Sequence, residues 1–286
     1  VGKSTIFNAL TKSSVPSENY PFCTIEQHVG IVSLPDSRLD KLTKIFQPEK
    51  VTPATVEFID IAGLVKGANK GEGLGNQFLG QIRQASAIVH VVRCFENDNI
   101  THVEGSIDPI RDAELIETEL LLADLQTIEK NINRLDKLAK KENNAQKELN
   151  VLLRLKDHCD KGKMARTFSS EEEEEVNLIE SLFLLTGKPI LYVANVDEIE
   201  IANSKRNNYV SSLFDFAKNE NNIAIRLCGK IEQEIAVLNK KEKSLFLDEY
   251  NLQEPGLNKL IHAGFNLLDL ETYFTGGPKE VRAWTI

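Results

Sequence analysis

The sequence predicts an α/β fold: a doubly wound sheet of alternating strands and helices, broken by one long helical insertion. Three observations predict it. Short apolar runs recur at VEFID (56–60), AIVHVV (87–92), PILYVA (189–194) and IAIRL (223–227), each flanked by helix-patterned segments. The loops at their carboxyl ends carry Gly, Asp and Asn, where such sheets bind ligands. Between Asp112 and about Lys141, Leu121, Leu125, Ile128, Ile132 and Leu135 recur at alternating spacings of four and three with no Gly or Pro, which describes a long helix with a coiled-coil-like seam.

Bulk composition is compatible with this. The chain has 286 residues, 41% hydrophobic and 27% charged, enough for a sizeable core and two or three units. Cys23, Cys94, Cys159 and Cys228 lie far apart with no CxxC pair, so neither a disulfide framework nor a zinc site is indicated. No apolar run approaches the ~20 residues that span a bilayer, and no basic-then-apolar leader is present, so a cytoplasmic monomer with no membrane role is expected. The net charge of −9 gives no global attraction to nucleic acid. The chain opens on Val1 inside a motif, and an upstream segment carrying the first glycine of that motif is expected.

Taken in order, VGKST (Val1–Thr5) reads as the second half of a phosphate loop, with IFNAL opening a helix. Gly2, Lys3, Ser4 and Thr5 would present backbone amides, an ammonium and hydroxyls to phosphates, and Ser4 would reach Mg²⁺. NYPFCTIEQHVGIV follows, where the Thr24 hydroxyl would complete the Mg²⁺ shell when triphosphate is bound. In TVEFIDIAG, Asp60 ends a strand and Gly63 follows at Asp-x-x-Gly spacing, the requirement for a nucleotide switch. The alternative for each, a capped helix or a strand closed by a turn, weakens because the three occur in the right order. The segment holding Gly67, Gly71, Gly73 and Gly75 fails the GxGxxG pattern and reads as a mobile loop. Leu64 stands where many regulatory GTPases carry a water-orienting Gln, so His102, in the polar loop after AIVHVV, is the candidate for that role. His90, inside the apolar strand, reads as a core residue.

After the long helix come a second through Leu149, Leu152 and Leu153, a break at Gly162, and a third, with SSEEEEEV as a Ser-capped acidic start, carrying Leu178, Leu182 and Leu185. Residues 134–166 hold ten Lys or Arg against five Asp or Glu. Such an arm could touch RNA phosphate, although a solvated helical surface is the plainer reading. YVAN then delivers Asn195, Val196, Asp197 and Glu198 where a base-reading loop belongs. Cys228, Gly229 and Lys230 follow the next strand, where backbone faces the base. Together these define a GTPase-like P-loop NTPase sheet.

At this level the chain resembles the YchF or Obg-like ATPases, within the Obg branch of translation-factor GTPases. The resemblance rests on VGKSTIFNALT, NYPFCTIE, DIAGLVKGANKGEGLGNQFL, VRCFEN, NVDE, CGKIEQE and TYFTGGPKEVRAWTI, spread along essentially the whole chain. It implies a nucleotide-binding domain at 1–107 and 188–269, a helical coiled-coil insertion at 108–187, and the start of a TGS domain at 270–286, with the chain trimmed at both ends. It implies phosphate and Mg²⁺ contacts at Gly2, Lys3, Ser4, Thr5 and Thr24, a switch at Asp60 and Gly63, base contact at Asn195, and His102 as the residue promoting hydrolysis. Gly229 stands where relatives more often have Ala. The implied partner is the ribosome, particularly its large subunit, with Mg²⁺ and K⁺ as the expected ions.

The base follows from hydrogen-bond chemistry. In the usual NKxD loop the Asp accepts from two guanine donors, whereas adenine presents a donor beside an acceptor. Here the Asp position holds Glu198, the supporting Lys is Val196, and Asp197 stands one place early. Because mispairing can cost ~10⁴-fold, the damaged clamp predicts ATP over GTP, with the Asn195 amide pairing with adenine. Two classes remain: a slow Mg²⁺-dependent ATPase, and a binding module whose nucleotide state sets its posture on a partner. A guanine-specific Obg-type GTPase with a degenerate loop is the runner-up.

Overall fold

The computed structural model describes residues 1–12, 28–61, 74–100, 102, 105–139, 143–203 and 205–286. In chain order these form α1 (Lys3–Lys12), β1 (Val29–Ser33), α2 (Ser37–Phe46), β2 (Lys50–Thr52), β3 (Thr55–Ile59), α3 (Leu74–Gln84) and β4 (Ile88–Arg93). The helices α4 (Pro109–Ala139), α5 (Asn143–Asp160) and α6 (Glu173–Glu180) follow. The remainder comprises β5 (Ile190–Asn195), α7 (Glu198–Ala202), α8 (Asn208–Asn219), β6 (Ile223–Leu227), α9 (Gly229–Ile235), α10 (Lys240–Glu249), α11 (Gly256–Leu267), β7 (Thr272–Gly276) and β8 (Glu280–Thr285). Two compact units result: residues 1–60, 89–110 and 190–286 form the first, and residues 61–88 with 111–189 the second.

In the first unit, β5 (ILYVAN) is buried at every residue, as expected of a strand covered on both faces. It lies between β4 and β6, and its pairing with β6 is parallel, from Leu191↔Ile223 to Asn195↔Leu227. Ile6, Ala9 and Leu10 of α1 pack with Val32, Val56, Leu191, Val193 and Leu227, and with Leu257, Leu260, Ile261 and Phe265 of α11. The close seat of α1 on β1 depends on Gly30, where a Cβ would stand 2.5 Å from Thr11 Cγ2. Local capping fixes several helix starts: Asn207 accepts from Val210 N–H at 2.8 Å before α8, and Asn239 with Glu242 forms a capping box on α10.

β1 pairs antiparallel with β3, and no ladder joins β3 to β4 among the described residues. Nor do residues 270–286 stand apart. β8 pairs in parallel with β2 and antiparallel with β7. Val281 and Ala283 enter the core of the first unit, while Arg38 of α2 donates to Thr272 Oγ1 at 2.5 Å and lies 4.9 Å over Phe274. The apolar alternation of β8 explains this: its inward side chains need cover, and α2 supplies it.

In the second unit the predicted seam is present. Leu121, Ile128 and Leu135 of α4 pack with Leu149, Leu152 and Leu155 of α5, flanked by Leu125 and Ile132. A separate cluster joins Leu79 and Ile82 of α3 to Leu120, Ala123 and Leu185, so α3 packs with the arm. The third helix is shorter than expected. It ends at Glu180, and Phe183 takes a left-handed φ of 49°, so Leu182 and Leu185 reach the core from a turn. Its N-cap is Glu172 without a side-chain cap bond, while Ser170 donates instead to Glu175 at 2.5 Å. Asp124, fully buried on α4, accepts from the N–H groups of Leu185 and Thr186 and from Thr186 Oγ1, at 2.7–2.8 Å. Four of the basic groups counted above are ion-paired within the unit: Arg154 with Glu175, Lys156 with Glu129 and Asp160, Lys161 with Asp157, and Arg166 with Glu117. The arm therefore offers less unpaired positive charge than its composition suggests.

Candidate functional site

Gly2 is held at φ +89°, and a Cβ there would meet Asn195 Nδ2 at 2.2 Å, so glycine is required both for conformation and for space. The first helical bond follows at once, Ile6 N–H to Gly2 O at 2.9 Å, and the preceding amides stay available at the start of α1. Lys3 Nζ contacts Asp60 Oδ1, and Ser4 Oγ lies 3.4 Å from Asp60 Oδ2. Asp60 is itself positioned by a backbone bond to His28 O at 2.8 Å beyond the end of β3. An ammonium, a hydroxyl and a carboxylate, 57 and 56 residues apart in sequence, thus converge on one end of α1. Thr5 follows in the same first turn and is half-buried.

The second cluster is built on Asn195, only 4% exposed at the end of β5. Its Oδ1 accepts from Gly229 N–H at 3.0 Å and its Nδ2 donates to Val1 O at 3.1 Å, so one amide ties the phosphate loop to the loop before α9. Each end makes one of the two hydrogen bonds open to it, so the amide is oriented by the two loops while keeping donor and acceptor capacity. Val196 is 2% exposed and donates its N–H to Leu227 O at 3.0 Å. Cys228 is also buried, and burial pushes its thiol up to about 11. Both side chains are thus turned into the protein. Gly229 is close-packed, since a Cβ would stand 3.1 Å from Ile6 Cγ1 and 3.4 Å from Asn195 Oδ1.

Asp197 points away, as its place one residue early suggested: it caps α7, accepting from Glu200 N–H at 2.7 Å. Glu198 is paired with Lys230 Nζ, and that ammonium holds the carboxyl below its ordinary value. His102 is half-buried, and its carbonyl accepts from Gly105 N–H at 3.1 Å. His90 is half-buried and lies against Tyr192 in a tilted pair, with centroids 5.7 Å apart. Thr24, Gly63 and Leu64, and the glycines at 67, 71 and 73, lie outside the described residues.

Two supporting residues were not singled out from sequence. Arg93, 4% exposed, donates to the carbonyls of Phe95, Asn97 and Ile100 at 2.9–3.1 Å, shaping the loop that leads to His102. Glu232, 2% exposed on α9, accepts from Gly256 and Leu257 N–H at 2.7 and 3.2 Å, closing the open end of α11. The signal for Glu232 was an acid next to Ile231 and three residues before Ile235, on the apolar side of the helix; Arg93 had none beyond a charge ending an apolar strand.

Comparison with known proteins follows the same pattern. Residues 1–152 match the family described as "50S ribosome-binding GTPase". A protein of Bacillus subtilis named "Ribosome-binding ATPase YchF" is 54% identical over 286 residues, covering all of this chain and 78% of that protein. One of Escherichia coli O157:H7 with the same name is 50% identical over 287 residues at the same coverage. The solved "Structure of the Schizosaccharomyces pombe YchF GTPase" superposes with a TM-score of 0.88 at 35% identity, covering all of this chain and 78% of that one. A P-loop NTPase fold of mixed α/β type, with more than half its residues shared with a YchF protein along its whole length, makes this chain a member of the YchF family.

Proposed function

We propose that the chain binds ATP in preference to GTP with Mg²⁺, hydrolyses it slowly, and uses the bound state to govern attachment to the ribosome's large subunit. The observation that carries this reading is the state of the base loop. Of its two acids, Glu198 is paired with Lys230 and Asp197 caps α7, so neither carboxylate of the loop is unpaired to accept from guanine's two donors. Asn195, held by one bond at each end of its amide, keeps a donor and an acceptor that match adenine. The names of the Bacillus subtilis and Escherichia coli relatives support both the base and the ribosome.

The donor set at α1 fits a hard divalent cation: the Ser4 hydroxyl and the Asp60 carboxylate lie together, and both offer oxygen. Ser4 and Asp60 would hold Mg²⁺ there, and its charge would offset that of the phosphates. The chain's own part is positional: the amides around Gly2–Thr5 and the Lys3 ammonium receive the phosphates and stabilise charge that develops on them in an in-line displacement. Lys3 would leave Asp60 to do so. His102 is proposed to promote the attack of water, in a loop shaped by Arg93, and Thr24 and Gly63 to complete the nucleotide-sensing set. By function, the chain is proposed to comprise a nucleotide domain at 1–107 and 188–269, an arm at 108–187 and a TGS segment opening at 270, bounds that differ from those of the two compact units. The protein is proposed to act as a cytoplasmic monomer, with K⁺ as a second ion and RNA contact through the arm.

Affinities of the full-length protein for ATP and GTP, with turnover measured in the presence and absence of ribosomes, test this. ATP should bind at least about tenfold tighter and ribosomes should raise turnover. Tighter GTP binding would return the guanine-specific reading to first place.

A further inference from the structure

We propose that Lys230 is a specificity-determining residue of the base loop, acting through Glu198. This deepens the adenine reading above and rests on residues 195–198 being the base loop. Three features place the pair there. Gly229, immediately before Lys230, donates to the Asn195 amide at 3.0 Å, and that amide reaches Val1 O at 3.1 Å, so both loops are registered on the phosphate loop. Glu198 opens α7 directly after Asp197, whose carboxylate is consumed as the cap of that helix. Lys230 opens α9 on the other side, and its ammonium lies on Glu198 Oε1.

A guanine edge offers a ring N–H and an amino group side by side, and it needs an acceptor with free lone pairs and unopposed negative charge. Glu198 has the reach to supply one despite its extra methylene, because its side chain is 34% exposed and can turn. Lys230 removes that option by donating to the carboxylate and neutralising it. The longer acid by itself would be a weakened guanine clamp; the acid with its lysine is a closed one. Lys230 thus guards against the wrong base without touching the right one, a form of specificity built by blocking a competitor.

The pair is partly solvated, with Lys230 66% exposed, so the effect is modest and substitution there leaves the core undisturbed. In the full-length protein, dissociation constants for ATP and GTP with Mg²⁺ would be measured for the parent, Lys230→Met, Lys230→Arg and the double variant Lys230→Met with Glu198→Gln. Lys230→Met should shift the ATP-to-GTP affinity ratio toward GTP by about two- to fivefold, the range one such ion pair permits. Lys230→Arg should keep the parent ratio, and the double variant should lose the gain, because no carboxylate remains to be released. A ratio unchanged in Lys230→Met, or a gain that persists in the double variant, overturns the role of Lys230. A parent that binds GTP more tightly overturns the adenine reading alone, since the shift between parent and variant is read independently.

Discussion

At the scale of single residues, Asn195 joins most of what the site needs. Its amide is one of the few groups that can accept from Gly229 N–H and donate to Val1 O at the same time. Asn195→Asp keeps the shape and one of the two bonds but sets a carboxylate against a carbonyl oxygen inside a buried pocket. We expect it to cost about 2–3 kcal/mol of stability, read from urea unfolding, and to lower nucleotide affinity by more than about tenfold in direct titration. Retained affinity would mean that the tie between the loops is dispensable. Glu232 gives a pH prediction. Burial raises its carboxyl above the ordinary 4.5, outweighing the Leu257 and Gly256 N–H groups that lower it. The native state therefore holds a proton over a range where the unfolded chain has lost it, and this contribution to stability falls as pH rises from about 4.5 through the raised value. Glu232→Gln cannot titrate, so its stability deficit relative to the parent should shrink between about pH 4.5 and 7 in urea melts. A constant deficit would show that the side chain folds without a shifted pKa. Much of this residue chemistry could be read in sequence: Asn195, Gly2, Lys3 and Asp60 were all marked by motif order. What could not be read is that Asn195 and Val196 face inward, because a motif names the residue and not the partner that consumes its hydrogen bonds.

At the scale of elements, the arm is held at its base by one carboxylate. Asp124 lies on the apolar seam of α4, between Leu121 and Ile128, yet makes three hydrogen bonds to Leu185 and Thr186, while Thr186 Oγ1 accepts in turn from Ala165 N–H at 3.0 Å. Removing it strands two buried N–H groups at once. Asp124→Ala should therefore cost about 3–4 kcal/mol, well above a surface substitution on the same helix such as Lys137→Ala, and chemical denaturation of the pair would show the difference. Equal costs would mean the turn at 185–186 finds other partners. The helical seam was legible because α4 repeats its apolar residues at spacings of three and four. The turn was not, since Leu182 and Leu185 continue that spacing and only the left-handed backbone at Phe183 ends the helix.

On the scale of the whole molecule, the order of phosphate loop, switch and base loop was enough to identify the fold, because the first opens α1 while the switch follows β3 and the base loop ends β5. The packing of two segments was not. Leu79 and Ile82 of α3 bury against Leu120 and Ala123 of the arm. Residues 272–285 complete a sheet with β2 over the core that holds α1 and α11. Long-range packing of this kind has no signature in a window of sequence. It has an energetic one. The seam of α4 with α5 and the core around β5 share no residue, so each is a separate source of stability. Ile128 is fully buried in the seam, and Ile128→Ala removes about 2–5 kcal/mol from it. Hydrogen exchange should then accelerate in α4 and α5 while amides of β5 and β6 keep their parent protection. Uniform loss of protection across both would mean that the two cores unfold as one cooperative body, and that a nucleotide bound at α1 stabilises the arm as strongly as the sheet.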